Sequence, residues 1–178
     1  MEYLKRFENK MVEIYYNDEF DKLNVGYIVN EDDEYILVLE ISNNGLNDGY
    51  SLILKKSINA VSITDYIEDK MILREEYSKI KDFDLFKHTE INANNDNVFM
   101  STLKDTMKKG LICNVVSFDS EEKFFGFIDE VNEDYIIMKY FKNEHFIKID
   151  SIGNVYINAI GHREDYLIYK SKKEKIEI

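Results

Sequence analysis

Hydrophobic residues in the first half of the chain fall into five short runs separated by polar segments. In chain order the runs read MVEIYY, KLNVGYIV, EYILVLEIS, YSLILK and AVSI. Alternating apolar and polar positions with many β-branched and aromatic side chains are typical of strands. The segments between the runs contain NDEFD, NEDD, SNNGLNDG and KKSIN, and are rich in the Asn and Asp that favour tight turns. The pattern predicts five strands of about five to eight residues.

The second half repeats this pattern with the runs LICNVVS, KFFGFIDEV, DYIIMKYF, HFIKI and NVYI. A mixed polar and apolar segment precedes the first run in each half, MEYLKRFENK in one and STLKDTMKKG in the other. Each segment predicts a short helix, and Ser101 or Thr102 is the expected N-cap of the second. We therefore expect a mainly β protein in which each half is a short α-helix followed by five strands.

The two halves also resemble each other residue by residue. The stretch GYIVNEDDEYILVLEI begins at Gly26, and GFIDEVNEDYIIMKYF begins at Gly126. This alignment places Tyr35 on Tyr135, and it extends back to residues 10–14 on 109–113. The similarity predicts an internal duplication of one folding unit. A repeat of this kind indicates a fold and does not by itself indicate a functional site.

Five short strands without a long amphipathic helix cannot cover both faces of an open sheet. Curling the sheet into a small barrel removes most of its exposed edge, and a glycine inside a strand permits the sharp bend that curling requires. Gly26 and Gly126 occupy that place in the second strand of each half. The prediction is two small barrels in tandem, with the glycines and with Tyr35 and Tyr135 as structural residues.

This arrangement resembles the Sm/LSm family of small SH3-like β-barrels. The family motif of a glycine, an acidic turn, an aromatic residue and an apolar strand is matched by Gly26 with Asp33-Glu34-Tyr35, and by the corresponding segment after Gly126. The resemblance implies pairing of edge strands between subunits, and the strands concerned here, residues 51–63 and 145–157, are expected to pair within the chain or between chains. In RNA-binding members of this family, an Asn of the motif lines the pocket that holds a base. The corresponding positions here are Leu37 and Ile137, and an aliphatic side chain cannot hydrogen-bond a base, so the resemblance does not extend to the RNA pocket.

Domain boundaries are predicted from the polar segments between the halves. Residues 65–80, DYIEDKMILREEYSKI, predict a connecting helix, with a strand over MIL as the alternative. Residues 86–100 are Asn-rich and polar, as expected of a boundary. We expect a first barrel with its connecting segment over residues 1–80, a linker over 81–100, and a second barrel with a C-terminal tail over 101–178.

Composition and charge narrow the protein class. The chain has 178 residues, one cysteine, no proline and a net charge of −12. A single cysteine excludes a disulfide framework within the chain, and neither a leader nor an apolar span is recognisable, so a cytoplasmic protein without membrane contact is expected. Residues 1–80 carry eight more acidic than basic residues, a charge that repels nucleic acid. Its simplest interpretation is solubility, and the alternative is a surface that attracts a basic protein partner. Frequent Asn, Lys and Ile suggest a bacterial source.

No motif for catalysis, a cofactor or a metal is recognisable. The histidines His88, His145 and His162 have no metal-ligand spacing, Cys113 lies in a predicted strand, and the glycines are scattered singly. The acidic turn from Glu31 to Glu34 lacks the spacing of a calcium loop and favours a solvated hairpin turn. We expect no enzymatic activity, no metal and no cofactor.

The remaining functions are interaction functions. A non-enzymatic interaction or assembly module is expected, binding a protein partner through the barrel surfaces. If that partner is basic, as for an immunity protein or antitoxin, the candidate contacts are Glu31, Asp32, Asp33 and Glu34. Self-association through edge strands is a further possibility. The alternative is a divergent Sm-like RNA-binding protein, with Lys108, Lys109 and Lys148 as candidate contacts, together with the basic tail at residues 170–175.

Overall fold

The computed structural model describes residues 2–16, 23–78, 89–118 and 122–162, and these form ten strands and two α-helices. The strands of the first half are β1 (Met11–Tyr16), β2 (Leu23–Glu31), β3 (Tyr35–Ile41), β4 (Asn47–Leu54) and β5 (Ile58–Ser62). Those of the second half are β6 (Ile112–Ser117), β7 (Lys123–Val131), β8 (Tyr135–Tyr140), β9 (Asn143–Lys148) and β10 (Ile152–Ile157). The helices are α1 (Asp65–Ser78) and α2 (Val98–Lys109). The predicted mainly β class is therefore confirmed.

All ten strands belong to one antiparallel sheet. Its strand order is β5-β1-β2-β3-β4-β10-β6-β7-β8-β9, so β5 and β9 are the two edges. The two predicted separate barrels are not observed, because the sheet is not closed. Within neither half does the fourth strand pair with the fifth; instead β4 of the first half pairs with β10 of the second.

The two halves share the same pairing pattern. Val12 opposite Gly26 in the first half corresponds to Cys113 opposite Gly126 in the second. A register shift follows residue 28 in β2 and residue 128 in β7, so both halves carry an irregularity at the same place. The sequence alignment of residues 10–14 with 109–113 is two residues out of register with this pairing, because similar residue types alone do not define strand register.

Close backbone approach accounts for the glycines in β2 and β7. A Cβ on Gly26 would overlap the carbonyl oxygen of Leu39, and one on Gly126 would lie 2.6 Å from the carbonyl oxygen of Lys139. Gly49 in β4 has φ +82°, and a Cβ there would overlap the carbonyl oxygen of Ile157 in β10. The contact between β4 and β10 thus requires glycine at position 49, because a side chain there would collide with the backbone of β10.

Local chemistry accounts for the helices. The connecting helix predicted over residues 65–80 is confirmed as α1, but Met71 and Ile72 are exposed and the buried face holds Ile67 and Lys70. The predicted cap at Ser101 or Thr102 is wrong. The cap is Asn97, four residues before Ser101, because the Asn97 side chain accepts a 2.9 Å hydrogen bond from the Met100 N–H.

The predicted first helix is a short 3-10 helix, Glu2–Phe7, and Leu4 is its buried residue. Two further 3-10 turns, Lys55–Ser57 and Ile149–Ser151, link the fourth strand to the fifth in each half. A direct hairpin would have paired the fourth strand with the fifth. The 3-10 turns stand in its place, and β4 pairs with β10 of the other half instead.

The largest hydrophobic cluster takes side chains from both halves. It joins Leu37 and Leu52 of the first half to Val115 and Val155 of the second, with Val98 of α2, all fully buried. Separate smaller clusters lie around Ile14 and around Ile67. Among the described residues, no helix is long and apolar enough to cross a membrane.

Candidate protein-binding groove

The acidic turn between β2 and β3 is organised by one carboxylate. Asp32 Oδ1 accepts hydrogen bonds from the N–H groups of Glu34, at 2.9 Å, and Tyr35, at 2.7 Å. An Asp that bonds the backbone two and three residues ahead stabilises a tight reversal. In the second half Asn132 makes the equivalent bonds, to Asp134 at 3.0 Å and Tyr135 at 2.9 Å.

The second oxygen of Asp32 reaches the other half of the molecule. Asp32 Oδ2 accepts a 2.6 Å hydrogen bond from the N–H of Val98, the first residue of α2. A carboxylate suits this position because the first N–H groups of a helix have no partner within the helix and carry partial positive charge. One side chain thus orders its own turn and holds the start of α2 beside it.

Lys55 is buried under the same turn. Its side chain is 3% exposed, and its Nζ lies 2.6 Å from Glu31 Oε2 while also donating to the carbonyl oxygen of Asp32. A buried ammonium group needs such partners, since leaving it unpaired would carry a large desolvation cost. Glu31 is therefore already neutralised by Lys55.

These residues line an open groove between the two halves with a volume of about 1170 Å³. Seven carboxylate residues and two lysines line it: Glu31, Asp32, Asp33, Glu34, Asp96, Glu133 and Asp150, with Lys5 and Lys55. Asp33 and Glu34 are exposed, and no described contact occupies their carboxylates. The groove surface is consequently negative.

Aromatic side chains border the carboxylates. The rings of Tyr35 and Phe99 are 4.5 Å apart, and both residues also line the groove. Burial, with the negative charges of Glu34 and Asp32, raises the pKa of Tyr35 to about 12. The phenol is neutral at physiological pH. Tyr35 and Phe99 are only 8% and 4% exposed, so they support the groove from the core, and carboxylates, which suit cationic side chains, dominate its accessible surface.

The four predicted acidic residues all reach this groove, with different roles. Asp32 and Glu31 are engaged within the protein, whereas Asp33 and Glu34 face solvent. Sequence reasoning missed Asp96 and Asp150 as members of the same surface. Their only sequence signal was acidity, because their approach to the β2–β3 turn depends on how the two halves pair.

The candidate RNA contacts do not form one patch in the described structure. Lys109 lies in the last turn of α2, where it pairs with Asp105 at 2.6 Å, and Lys108 is exposed beside it. Lys148 ends β9 and precedes Ile149, which lines the groove with Phe99 in the first turn of α2. These lysines therefore lie towards opposite ends of α2, and the basic tail at residues 170–175 lies outside the described residues.

The residues weighed for metal or nucleophilic chemistry are dispersed. Within the described ranges, no group of three or more His, Cys, Asp or Glu residues is arranged to hold a metal ion. Cys113 is fully buried, and burial raises the pKa of its thiol to about 12, which keeps it unreactive. His145 and His162 pack on the rings of Phe124 and Phe125, and His88 lies outside the described residues.

A second polar cluster lies where the halves meet. The Glu40 carboxylate accepts hydrogen bonds from Asn24 Nδ2 and from the Ser51 hydroxyl. Asn24 Oδ1 accepts from the Tyr16 hydroxyl at 2.9 Å, and Tyr16 shares a hydrogen bond with Tyr156 of β10. Burial raises the pKa of Glu40 to about 7, despite the opposing hydrogen bond from Ser51. This cluster links four strands of the first half to β10.

No protein-family model, curated protein or solved structure matches this chain. What the structure itself shows is a mainly β protein with a single ten-stranded antiparallel sheet and an acidic groove between its two halves.

Proposed function

We propose that this chain is a non-enzymatic interaction module that binds a basic segment of a partner protein in its acidic groove. One observation carries the proposal. Carboxylates from both halves converge on a single open groove, and one of the two lysines that line it is already paired with Glu31. Five of the seven carboxylate residues, Asp33, Glu34, Asp96, Glu133 and Asp150, are exposed, and they outnumber the one remaining lysine, Lys5.

The dimensions of the groove favour a peptide segment over a small molecule. Small-molecule pockets are mostly apolar clefts of about 300–1,000 Å³ that enclose their ligand. This groove is larger, open and predominantly acidic. A short segment with alternating Lys or Arg side chains would place its cations against Asp33, Glu34 and Glu133, which are all exposed.

The overall charge supports the same class of partner. A net charge of −12 attracts a basic protein over a distance set by ionic strength and repels nucleic acid phosphates. Complementary charge mainly accelerates encounter and fixes orientation, so the interaction should weaken as salt is added.

The family assignment is also a proposal. We propose that the two halves are copies of one Sm-like unit, because each orders its strands as fifth, first, second, third and fourth within the half. The matching register shifts in β2 and β7 support a duplication. In this proposal the groove occupies surface created by joining the two copies.

The test is a titration of the full chain with a fluorescently labelled peptide of alternating Lys and Ala, followed by fluorescence anisotropy. The unmodified protein should bind at low salt and lose affinity as salt rises. The double variant Asp33→Lys with Glu34→Lys should bind about tenfold more weakly or worse, because it reverses two uncompensated charges in the groove.

The matched control is Glu68→Lys with Asp69→Lys, which makes the same charge change on exposed positions of α1 outside the groove. Equal loss of affinity in both double variants would contradict a groove site and leave only general charge attraction. A labelled oligouridylate tests the RNA alternative. Retention of that RNA, abolished by Lys108→Glu and Lys148→Glu, would replace this proposal with the RNA-binding one.

A further inference from the structure

The last residues that the structure describes begin a helix. Residues 160–162 have helical backbone, and the N–H of Ile160 donates a 2.6 Å hydrogen bond to Asp48 Oδ1. A carboxylate at this place satisfies one of the N–H groups that have no partner within a helix. A single turn is not stable alone, because helix nucleation is unfavourable and only propagation adds stabilising hydrogen bonds. A helix that begins here therefore needs further residues to be stable.

The first half of the molecule carries a helix at the same place. Helix α1 begins at Asp65, three residues after β5 ends at Ser62. The helical backbone at Ile160 likewise begins three residues after β10 ends at Ile157. Strands β5 and β10 are equivalent, because each pairs with the first strand of its own half. The pattern shared by the two halves thus extends beyond the strands.

The third residue of each helical segment contacts the same place on its sheet. Ile67, the third residue of α1, is 2% exposed and belongs to one hydrophobic cluster with Val25, which precedes the glycine of β2. His162, the third residue from Ile160, packs against Phe125, which precedes the glycine of β7. Their rings form a T-shaped pair with 5.2 Å between centroids. The surface around Phe125 is therefore the counterpart of the surface that α1 covers.

Helix α2 does not cover this surface. It packs on the opposite face of the second half, where Phe124 lies against the main hydrophobic cluster, and neighbouring residues of a strand point to opposite faces. Among the described residues, no other helix of the second half is in a position to do what α1 does for the first.

We propose that residues 163–178 continue the helix that begins at Ile160, and that this helix packs on the Phe125 surface as α1 packs on the first half. The occupant of the surface is thus the C-terminal segment of the same chain. The surface lies near the start of β7, whereas the acidic groove is lined by Glu133, beyond the end of β7. The inference therefore does not depend on the proposed function.

The sequence of the segment, REDYLIYKSKKEKIEI, suits a helix of this length. It contains no proline or glycine and is rich in Lys, Glu, Leu and Arg, which favour helices. Helix α1 has 14 residues, and the same length from Ile160 ends at Lys173. Lys170, Lys172 and Lys173 then lie in the last turn, where basic side chains interact favourably with the helix dipole. The basic run at residues 170–175 thus stabilises the end of the helix.

Helical spacing identifies the side that faces the sheet. Tyr169 follows His162 by seven residues, two turns, and shares its face. Arg74 has the same position in α1, where it donates to a carbonyl oxygen of the β3–β4 loop. Leu167 lies on the opposite side, and its counterpart in α1, Ile72, is 59% exposed. We therefore expect Tyr169 to be buried against the second half and Leu167 to face solvent.

The chemistry of the two loops matches the two helices. In the first half the loop after β3 offers carbonyl groups, and α1 presents Arg74 to them. In the second half the turn after β8 holds Phe141, which is 43% exposed, and the segment presents Tyr169. A pair of aromatic rings thus takes the place of a hydrogen bond from a guanidinium group.

The test uses tryptophan emission from the full chain, which has no tryptophan of its own. Tyr169→Trp should emit at shorter wavelength than Leu167→Trp and should be quenched less by acrylamide. The two positions lie two residues apart in one segment, so each variant is the control for the other. Equal quenching of the two would overturn the proposal, because a docked helix has one buried side and one exposed side.

The surface is tested by changing Phe141 in the Tyr169→Trp chain. Phe141 has φ +54°, which Asn tolerates, so Phe141→Asn keeps the turn and removes the ring. Emission should then shift to longer wavelength, towards that of Leu167→Trp. Phe118→Asn, at a 45% exposed position beyond the end of β6, is the matched control and should leave the emission unchanged. Equal shifts in both variants would contradict docking at this turn.

Hydrogen exchange of the unmodified chain gives a readout that needs no variant. Amides of residues 164–170 should exchange at least about tenfold more slowly than in an unstructured peptide of the same sequence. This protection should be independent of protein concentration, because surface and segment belong to one chain. Exchange at the unstructured rate would overturn the proposal. Protection that appears only at high concentration, or only with cell extract, would also overturn it, because the occupant would then be a second copy or a separate partner.

Discussion

Glu40 is a carboxylic acid whose surroundings favour the protonated form. Its ordinary pKa of 4.5 is raised to about 7 by burial, and Asn24 and Ser51 donate hydrogen bonds to it. The ordinary value applies in the unfolded chain, so folding takes up a proton between the two pKa values. The free energy of unfolding therefore decreases as pH rises from about 4.5 to about 7, because the folded state binds more protons than the unfolded chain in this range.

Glu40→Gln should remove this dependence, since an amide of the same shape does not ionise. At about pH 4 the variant should match the parent, and at about pH 8 it should be more stable by as much as about 3 kcal/mol. Urea unfolding at both pH values measures the difference. Glu68→Gln, on an exposed position of α1, is the control and should leave the pH dependence of the parent intact. A Glu40→Gln profile that parallels the parent at both pH values would contradict the assignment.

Asp32 stabilises structure outside its own turn, because one of its oxygens accepts a hydrogen bond from the first residue of α2. Asp32→Asn keeps the oxygen that orders the turn but replaces the oxygen that accepts the Val98 N–H. The free energy of unfolding should fall by about 1–2 kcal/mol, as for loss of a helix cap, and the Val98 amide should exchange faster with solvent.

Asn132→Asp provides the matched comparison for that variant. Asn132 makes the same turn bonds in the second half, and aspartate preserves them, so this change should leave stability within about 0.5 kcal/mol of the parent. If Asp32→Asn is equally mild, the bond from Asp32 to α2 carries no measurable stability.

At the scale of elements, α1 is attached to the sheet by its basic side chains. Lys70 is 1% exposed, and its Nζ donates to the carbonyl oxygen of Ser42 at 2.8 Å. Arg74 donates to the carbonyl oxygen of Gly45 at 2.8 Å. Both side chains donate hydrogen bonds to carbonyl groups in the loop between β3 and β4. Those carbonyl groups take no part in strand pairing.

Lys70→Met should lower the free energy of unfolding by about 2 kcal/mol, because it keeps the aliphatic stem but removes the charge-assisted hydrogen bond from Nζ to the Ser42 carbonyl oxygen. Arg74→Met, at a more exposed site, should cost about 1 kcal/mol or less. Chemical denaturation followed by circular dichroism ranks the two. Equal costs would indicate that packing of α1, and not its hydrogen bonds, holds the loop.

Helix α1 shows which structural features can be predicted from local sequence patterns and which cannot. Its existence was predictable from composition and spacing, and so were the strand runs and the turns rich in Asn and Asp. Its buried face was not, because Lys70 is buried and Met71 and Ile72 are exposed, the reverse of what hydrophobicity favours. Specific hydrogen bonds to loop carbonyls decide that orientation, and residue type alone does not encode them.

At the scale of the whole molecule, strand partners were predictable only through the family resemblance, which allowed residues 51–63 and 145–157 to pair within the chain, as β4 and β10 do. The runs that form β4 and β5 carry no mark that sends β4 to β10, since apolar alternation is the same for every candidate partner. For the same reason the groove was only half predictable. Glu31 to Glu34 were recognisable as one acidic turn, whereas Asp96 and Asp150 join them only once the halves are paired.

Shared burial also predicts how the molecule unfolds. Because Leu37 and Val155 belong to one hydrophobic cluster and Asp32 bonds α2, neither half can lose structure without exposing the other. Urea unfolding followed by far-ultraviolet circular dichroism and by tyrosine fluorescence should therefore give coincident single transitions. Two separate transitions would mean that the halves are independent domains.

The pairing of β4 with β10 has a consequence for how the protein responds to dilution. Both strands belong to one chain, so their pairing is an intramolecular event whose equilibrium does not depend on the concentration of the protein. Lowering the amount of protein leaves that pairing unchanged, while any contact between separate molecules weakens in proportion. A single covalent connection thus makes the β4–β10 junction, and with it the joining of the two halves, insensitive to expression level.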